Sequence, residues 1–354
     1  MNLPYLTATV PPIPARFRVT VDDFRVDEIA AYPPDGQGTH LFVRFEKSDF
    51  TTQEAVKRLA RALEVSPRDV GTAGTKDRRA VTTQWASFPG VDEARARALE
   101  LEGIRVLEAV KHGSKLRTGH LFGNRFAIRL RDVPEERDDD VRSSIERLSL
   151  VGMPNYFGDQ RFGREGKNVE RAIEWLSGNA RPPRDHFERK MLASSLQSEL
   201  FNRTVAERVE RGELGRVFHG DLCKKEETGG MFTAEDVATD QPRADAFEIS
   251  PTGPMFGPEM RWPTHEAAER ERALLASSGL SAEVLEQLGR NAPGTRRVVR
   301  VRPTETSVER DAEGLVLGFV LPSGAYATSM LRELMKEEGG SERSGGDAPG
   351  DEGR

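Results

Sequence analysis

The 354-residue chain is long enough for two cored domains, and 36% apolar with 31% charged residues is the composition of a soluble globular protein with no membrane span. Met1 to Pro14 carries prolines and no cationic stretch ahead of an apolar core, so no signal peptide and a cytoplasmic location are expected. A lone cysteine, Cys223, rules out an internal disulfide; with the few histidines it offers no zinc-like spacing, so no structural metal is expected.

Phe17 to Asp27 alternates apolar and polar residues, Pro33-Pro34-Asp35-Gly36 makes a turn, and Leu41 to Phe45 alternates again, which predicts an antiparallel hairpin. Thr51-Thr52-Gln53-Glu54 is a capping-box start for a helix whose buried face is Ala55, Val56, Leu59, Ala62 and Leu63. The glycines of Gly71-Thr72-Ala73-Gly74 allow a sharp turn, and Val81, Thr83 and Trp85 then alternate as a half-buried strand would. A helix over Asp92 to Leu101 and strands over Ile104 to Val110 and Arg125 to Leu130 follow, then helices over Arg142 to Leu150 and Val169 to Leu176. After the breaker Arg181-Pro182-Pro183, Met191 to Val209 gives the longest helix, ended by Gly212. His219 to Pro258 reads as turn-rich, with helices after it at Thr264 to Ser278 and Ser281 to Leu288. Strands return at Arg297 to Val301 and Leu315 to Leu321, separated by the turn Asp311-Ala312-Glu313-Gly314, and a helix closes at Thr328 to Lys336. The glycine-rich, charged run 339–354 is expected to be disordered. This pattern is α+β with a mixed or antiparallel sheet, and the stretch 181–300 has a hydrophobic pattern of its own.

Chemistry concentrates at Asp77, which stands between Lys76 and Arg78-Arg79 at the entrance to a strand. Neighbouring cations favour the ionised carboxylate, and an ionised carboxylate is a nucleophile or a base. Read alone, a lone Lys-Asp pair of this kind is more often a mixed-charge surface turn. The net charge of −6 disfavours a nucleic-acid partner unless the cations are gathered. Two runs gather them: Lys111, Lys115, Arg117, Arg125, Arg129 and Arg131, with no acid before Asp132, and Arg296, Arg297, Arg300 and Arg302. Each is either a phosphate-tracking surface or an ordinary wet strand face.

The run Gly74-Thr75-Lys76-Asp77-Arg78-Arg79-Ala80-Val81-Thr82-Thr83-Gln84 resembles the first signature of the TruD family of tRNA pseudouridine synthases. A second signature is matched at Asn155-Tyr156-Phe157-Gly158-Asp159-Gln160-Arg161-Phe162-Gly163, and a third at Leu321-Pro322-Ser323-Gly324-Ala325-Tyr326-Ala327-Thr328-Ser329-Met330-Leu331-Arg332-Glu333. The opening Phe17 to Glu28 and Gly38-Thr39-His40-Leu41 is similar to the family's first strands. The resemblance implies a catalytic core made from 1–180 and 301–338, with an inserted α-rich TRUD domain at 181–300. It implies a tRNA substrate, a D-arm uridine at position 13 as in bacterial members, no cofactor or metal, no obligatory protein partner and a monomer. Asp77 becomes the essential aspartate, acting by attack at C1′, by attack at C6 or by taking the C2′ proton.

Arg18 or Lys76 would hold that carboxylate, Arg18 being equally a wet cation on a strand. Phe24, Phe157 and Tyr326 become candidate stacking surfaces for a flipped base, although an isolated aromatic is more often core. Asn155 offers a donor and an acceptor to a uracil edge, or else is a turn asparagine after Pro154, and Arg161 could hold phosphate or brace its loop. Two other functions fit the same residues: an RNA-binding or RNA-folding protein with dispensable catalysis, and a hydrolase with Asp77 as nucleophile, for which no second carboxylate stands at a suitable spacing.

Overall fold

The computed structural model describes residues 2–163 and 166–336, and the expected tail at 339–354 lies outside the described residues. The chain runs through β1 (Phe24–Ala30), β2 (His40–Ser48), α1 (Thr52–Ala62), β3 (Gly71–Thr72), β4 (Val81–Pro89), α2 (Glu93–Arg97), β5 (Ile104–His112), β6 (Leu121–Leu130) and α3 (Asp138–Val151). It continues with β7 (Met153–Pro154), α4 (Lys167–Leu176), α5 (His186–Glu210), β8 (Leu222–Lys225), β9 (Met231–Thr233), α6 (Val237–Asp245), β10 (Ile249–Met255), α7 (His265–Ser277) and α8 (Ala282–Leu288). The last elements are β11 (Thr295–Val298), β12 (Arg300–Val301), β13 (Thr304–Asp311), β14 (Gly314–Pro322) and α9 (Ala327–Met335). The fold is α+β, as the sequence pattern predicts.

Two compact units form. The first holds Ile13–Ser143 and Pro303–Ala327, and the second holds the stretch up to Pro12, Ser144–Arg302 and the stretch from Thr328. The change of unit at Arg302/Pro303 lies beside the limit expected at 300, while the one at Ser143/Ser144 comes well before 181. The first unit is built on a mixed sheet ordered β13-β14-β6-β1-β4-β2-β5, with β3 paired to β4. Strands from residues 304–322 thus complete a sheet begun at residue 24. The expected hairpin of the first two strands is not formed. β1 lies parallel to β4 in the register Arg25↔Val81 to Asp27↔Thr83, while β2 pairs antiparallel with β4 and β5. β4 therefore separates β1 from β2. A parallel partner needs a long connection, and the stretch 31–80, which carries β2, α1 and β3, supplies one.

Because β4 is interior it is buried on both faces from Val81 to Phe88, in place of the expected half-buried strand. α1 covers one face of the sheet, packing Ala55, Leu59 and Leu63 on Leu41, Val43 and Phe45. The Thr51 hydroxyl accepts from the Glu54 amide 3.1 Å away, and the Glu54 carboxylate accepts from the Thr51 amide at 2.8 Å, completing the capping box read from the sequence.

The second unit packs α5, 25 residues long, against α4, α7 and α8 through Leu192, Leu196, Leu200, Leu274 and Leu285. The span read as turn-rich, His219 to Pro258, instead holds three strands and α6. β10 pairs with β8 and β11, giving a four-stranded sheet β11-β10-β8-β9. Pro251 and Pro254 lie inside β10, where prolines ordinarily argue against an interior strand.

Candidate active site

Asp77 lies in the loop between β3 and β4 with its side chain 54% exposed. Its carboxylate Oδ2 accepts from Arg18 Nη2 at 3.0 Å. Arg18 has φ 58°, a left-handed backbone uncommon outside glycine, and its guanidinium lies over the Phe24 ring 4.1 Å from the centroid. The cation that meets Asp77 is thus itself held on a buried aromatic face.

Lys76 turns the other way. Its ammonium is buried and donates to Glu28 Oε2 at 2.6 Å. Of the two cations expected to hold Asp77, only Arg18 reaches the carboxylate. Arg78 stands 3.8 Å from Asp49. The Lys76–Glu28 pair fastens the loop to β1, and Glu28 Oε1 also accepts from the Trp85 amide at 3.1 Å. The Lys76 amide donates to Thr52 Oγ1 at 2.8 Å, and that hydroxyl donates to Gln84 Oε1 at 2.8 Å. Thr83 donates to Asp27 Oδ1 at 2.6 Å. Gln84 of the first motif therefore supports the loop through Thr52, while Thr83 ties β4 to β1.

Lys47, which carries no motif, completes the support. Its fully buried ammonium donates to the Asp77 main-chain carbonyl at 2.7 Å, and burial pushes its pKa down to about 8 against the opposing pull of Asp77. The signal for it lies in the strand periodicity. Lys47 follows Leu41, Val43 and Phe45 at two-residue spacing, and Glu28 follows Phe24 and Val26 in the same way, so both charges occupy inward positions.

The remaining candidates separate by burial. Phe24 is buried, edge-on to Phe126, with Arg18 across one face. Tyr326 is exposed, in the turn between β14 and α9. In the second unit, Asn155 is buried and its amide is engaged at both ends, donating to Val298 O at 2.9 Å and accepting from Arg297 Nη2 at 2.6 Å. Its donor and acceptor serve the protein itself, not an open edge. Phe157 lies between two guanidiniums, Arg297 at 4.3 Å and Arg161 at 5.5 Å, and its main chain is clasped by both ends of the Asn202 amide. Arg161 donates to Ser194 Oγ at 2.6 Å, and its carbonyl accepts from Ser195 Oγ at 2.7 Å. These contacts tie the second motif to α5.

The basic run ending at Arg302 is mostly internal, which corrects its reading as a phosphate-tracking surface. Arg296 is buried in a two-point ion pair with Glu271 at 2.6 and 2.8 Å and also bonds Thr252. Arg300 is buried against the Val151 and Ala244 carbonyls, both 2.6 Å away, and desolvation lowers its pKa to about 10. In the first run, Arg125 meets Glu305 at 2.6 Å and Arg131 meets Asp23 at 2.7 Å. Lys111 and Arg117 of that run are exposed.

The family model described as tRNA pseudouridine synthase D (TruD) matches residues 1–181 and 183–334. A tRNA pseudouridine synthase D of Anaeromyxobacter dehalogenans strain 2CP-1 is 45% identical over 342 residues, covering 95% of this chain and 97% of the relative. A counterpart in Thermus thermophilus is 42% identical over 339 residues, covering 95% and 92%. Among solved structures, the putative tRNA pseudouridine synthase D of Methanosarcina mazei superposes with a TM-score of 0.79 at 25% identity, covering 95% of this chain and 96% of that one. With all three motifs in order and relatives matched along almost their whole length, the chain belongs to the TruD family of tRNA pseudouridine synthases.

Proposed function

We propose that this synthase isomerises one D-arm uridine of tRNA to pseudouridine, with Asp77 acting on the target nucleotide flipped out of the RNA stack. The carrying observation is the half-exposed Asp77 carboxylate, oriented by Arg18 at 3.0 Å, on a loop fastened from beneath by Lys47 and by the Lys76–Glu28 pair. Breaking the C1′–N1 bond and joining C1′ to C5 moves no electrons to or from an outside group, so the chemistry asks for an oriented carboxylate and a slot for the base. Asp77 meets the first requirement by attack at C1′, attack at C6 or removal of the C2′ proton.

Tyr326, exposed and in the third motif, is the stacking surface we assign to RNA. Arg18 and Phe24 are assigned to orienting Asp77, Lys76 to bracing its loop, and Asn155, Phe157 and Arg161 to shaping the second motif that the RNA meets. Residues 1–180 and 301–338 are assigned to the catalytic core and 181–300 to the inserted domain, and the enzyme is assigned to act as a monomer in the cytoplasm. The test is pseudouridine formation on unmodified tRNA transcripts, mapped to the nucleotide, with wild type beside Asp77→Asn. Conversion of one D-arm uridine by the wild type, and binding without conversion by the variant, is the expected outcome. Release of free uracil would mean a hydrolase instead, and equal binding with no conversion by either protein would mean an RNA-binding relative.

A further inference from the structure

Three exposed side chains of the second unit, His219, Glu235 and His265, stand together outside all three motifs. The two imidazoles lie face to face with centroids 4.1 Å apart and planes 4° from parallel. Nε2 of His219 is 3.8 Å and Nε2 of His265 is 3.9 Å from the same oxygen, Glu235 Oε2. Both distances are too long for hydrogen bonds, and one ligand atom from each residue lies within 4.8 Å of the others.

The backbone beneath the trio is knit together. The Gly220 amide donates to Ala234 O at 2.8 Å, the Thr264 amide to Gly220 O at 3.1 Å, and the Ala267 amide to His219 O at 3.2 Å. Each bond joins a ligand or its close neighbour to another segment. Gly220 has φ +85°, and a Cβ there would come within 2.1 Å of the Thr264 carbonyl oxygen, so the approach of the two histidine-bearing segments requires glycine. His265 has φ +47°, a left-handed conformation unfavourable for an L residue, at the first residue of α7.

We propose that His219, Glu235 and His265 bind one divalent transition-metal ion, zinc foremost, in a site that fastens the turn before β8, the link from β9 to α6 and the start of α7. Two imidazoles and a carboxylate suit zinc, nickel or copper, whereas magnesium and calcium take all-oxygen sets. Ligands held about 2.0–2.2 Å from a tetrahedral zinc stand about 3.3 Å apart, so the nitrogen-to-oxygen gaps close by about half an ångström on binding, and at least one of the exposed imidazoles turns out of the parallel stack, because in-plane lone pairs of parallel rings do not converge on one ion. Water completes the fourth position. The histidines lie far apart in sequence and only the fold joins them, which is why their spacing carries no metal signal.

The test uses the untagged full chain, stripped with chelator and titrated calorimetrically with zinc chloride beside magnesium chloride, with cobalt(II) absorption as a second readout. One zinc per chain with a Kd below about 10 μM, a rise in Tm with zinc, and tetrahedral cobalt bands are expected, with no response to magnesium. His219→Gln and Glu235→Gln should each weaken zinc binding at least about tenfold and abolish the cobalt bands. His265→Asn, which tolerates the left-handed backbone, should do the same; if it fails to fold, the other two variants still decide. Zinc bound only near millimolar concentration, magnesium bound equally well, or binding undiminished in both His219→Gln and Glu235→Gln would overturn the site.

Discussion

Asp77 is held by groups of its own fold. Its carboxylate meets the guanidinium of Arg18, itself fixed on Phe24, so removing that guanidinium should let the carboxylate swing. Arg18→Gln should lower the single-turnover rate of pseudouridine formation about 100-fold, with tRNA affinity and Tm little changed. Arg18→Lys should recover part of the rate, and an unchanged rate in Arg18→Gln would mean that Asp77 is held by other means. Lys47 makes a different prediction because burial takes its ammonium down to about 8 from an ordinary 10.5. Below pH 8 the folded and unfolded chains both hold the proton, and no slope arises from this group. Between pH 8 and 10.5 the unfolded chain holds more protons, so stability should rise with pH, by at most about 3 kcal/mol across the window. Denaturant unfolding of wild type and Lys47→Met over that range checks it: the difference between them should grow with pH in favour of the wild type. Parallel curves would show that Lys47 does not titrate there.

At the scale of elements, the parts legible in the sequence are those fixed by local signals. The capping box at Thr51 and the long apolar face of α5 are each set by residues within a few positions of one another, and each is found, whereas Gly71 and Thr72, expected in a sharp turn, pair with β4 as β3. The hairpin expected of β1 and β2 does not form because the choice of strand partner is non-local. Inserting β4 between them satisfies both edges of a strand buried on both faces, and nothing in residues 17–45 encodes that neighbour. The motifs are legible as motifs, but the directions of Lys76 and Asn155 are not, because their partners Glu28 and Arg297 come from distant strands. The Arg296–Glu271 pair, joining β11 to α7, illustrates the same limit: a run of arginines looks wet until the fold supplies a buried acid. Desolvation pushes the Glu271 carboxyl pKa upward, so its charge depends on Arg296. Glu271→Ala leaves the Arg296 guanidinium buried without its carboxylate and should cost about 3–5 kcal/mol. The double variant Glu271→Leu/Arg296→Met should be less destabilised than Glu271→Ala in urea unfolding; equal or greater loss would mean that the Arg296 bonds to Thr252 dominate.

For the whole molecule, a net charge of −6 and a polyanionic substrate are reconciled only by where the cations stand. Many arginines face acids within the protein: Arg125 with Glu305, Arg129 with Asp311 and Arg131 with Asp23. Such pairs have little positive potential left for phosphate, whereas Lys111 and Arg117 are exposed beyond the acid-matched strand positions. Affinity for tRNA should therefore fall with salt less steeply than the roughly 10³–10⁵-fold loss between 50 and 200 mM that attends six to ten phosphate contacts. If Lys111 and Arg117 each meet a phosphate, the double reversal Lys111→Glu/Arg117→Glu should weaken all tRNAs alike and flatten the slope of log K against log salt by about two. Arg125→Ala should leave that slope almost unchanged, because its guanidinium already neutralises Glu305. Binding titrations of one tRNA transcript across a series of salt concentrations measure both slopes. A slope altered by Arg125→Ala and untouched by the double reversal would show that tRNA displaces Glu305 and binds along β6, so that the acid-matched strand face, and not the exposed pair, carries the phosphate backbone.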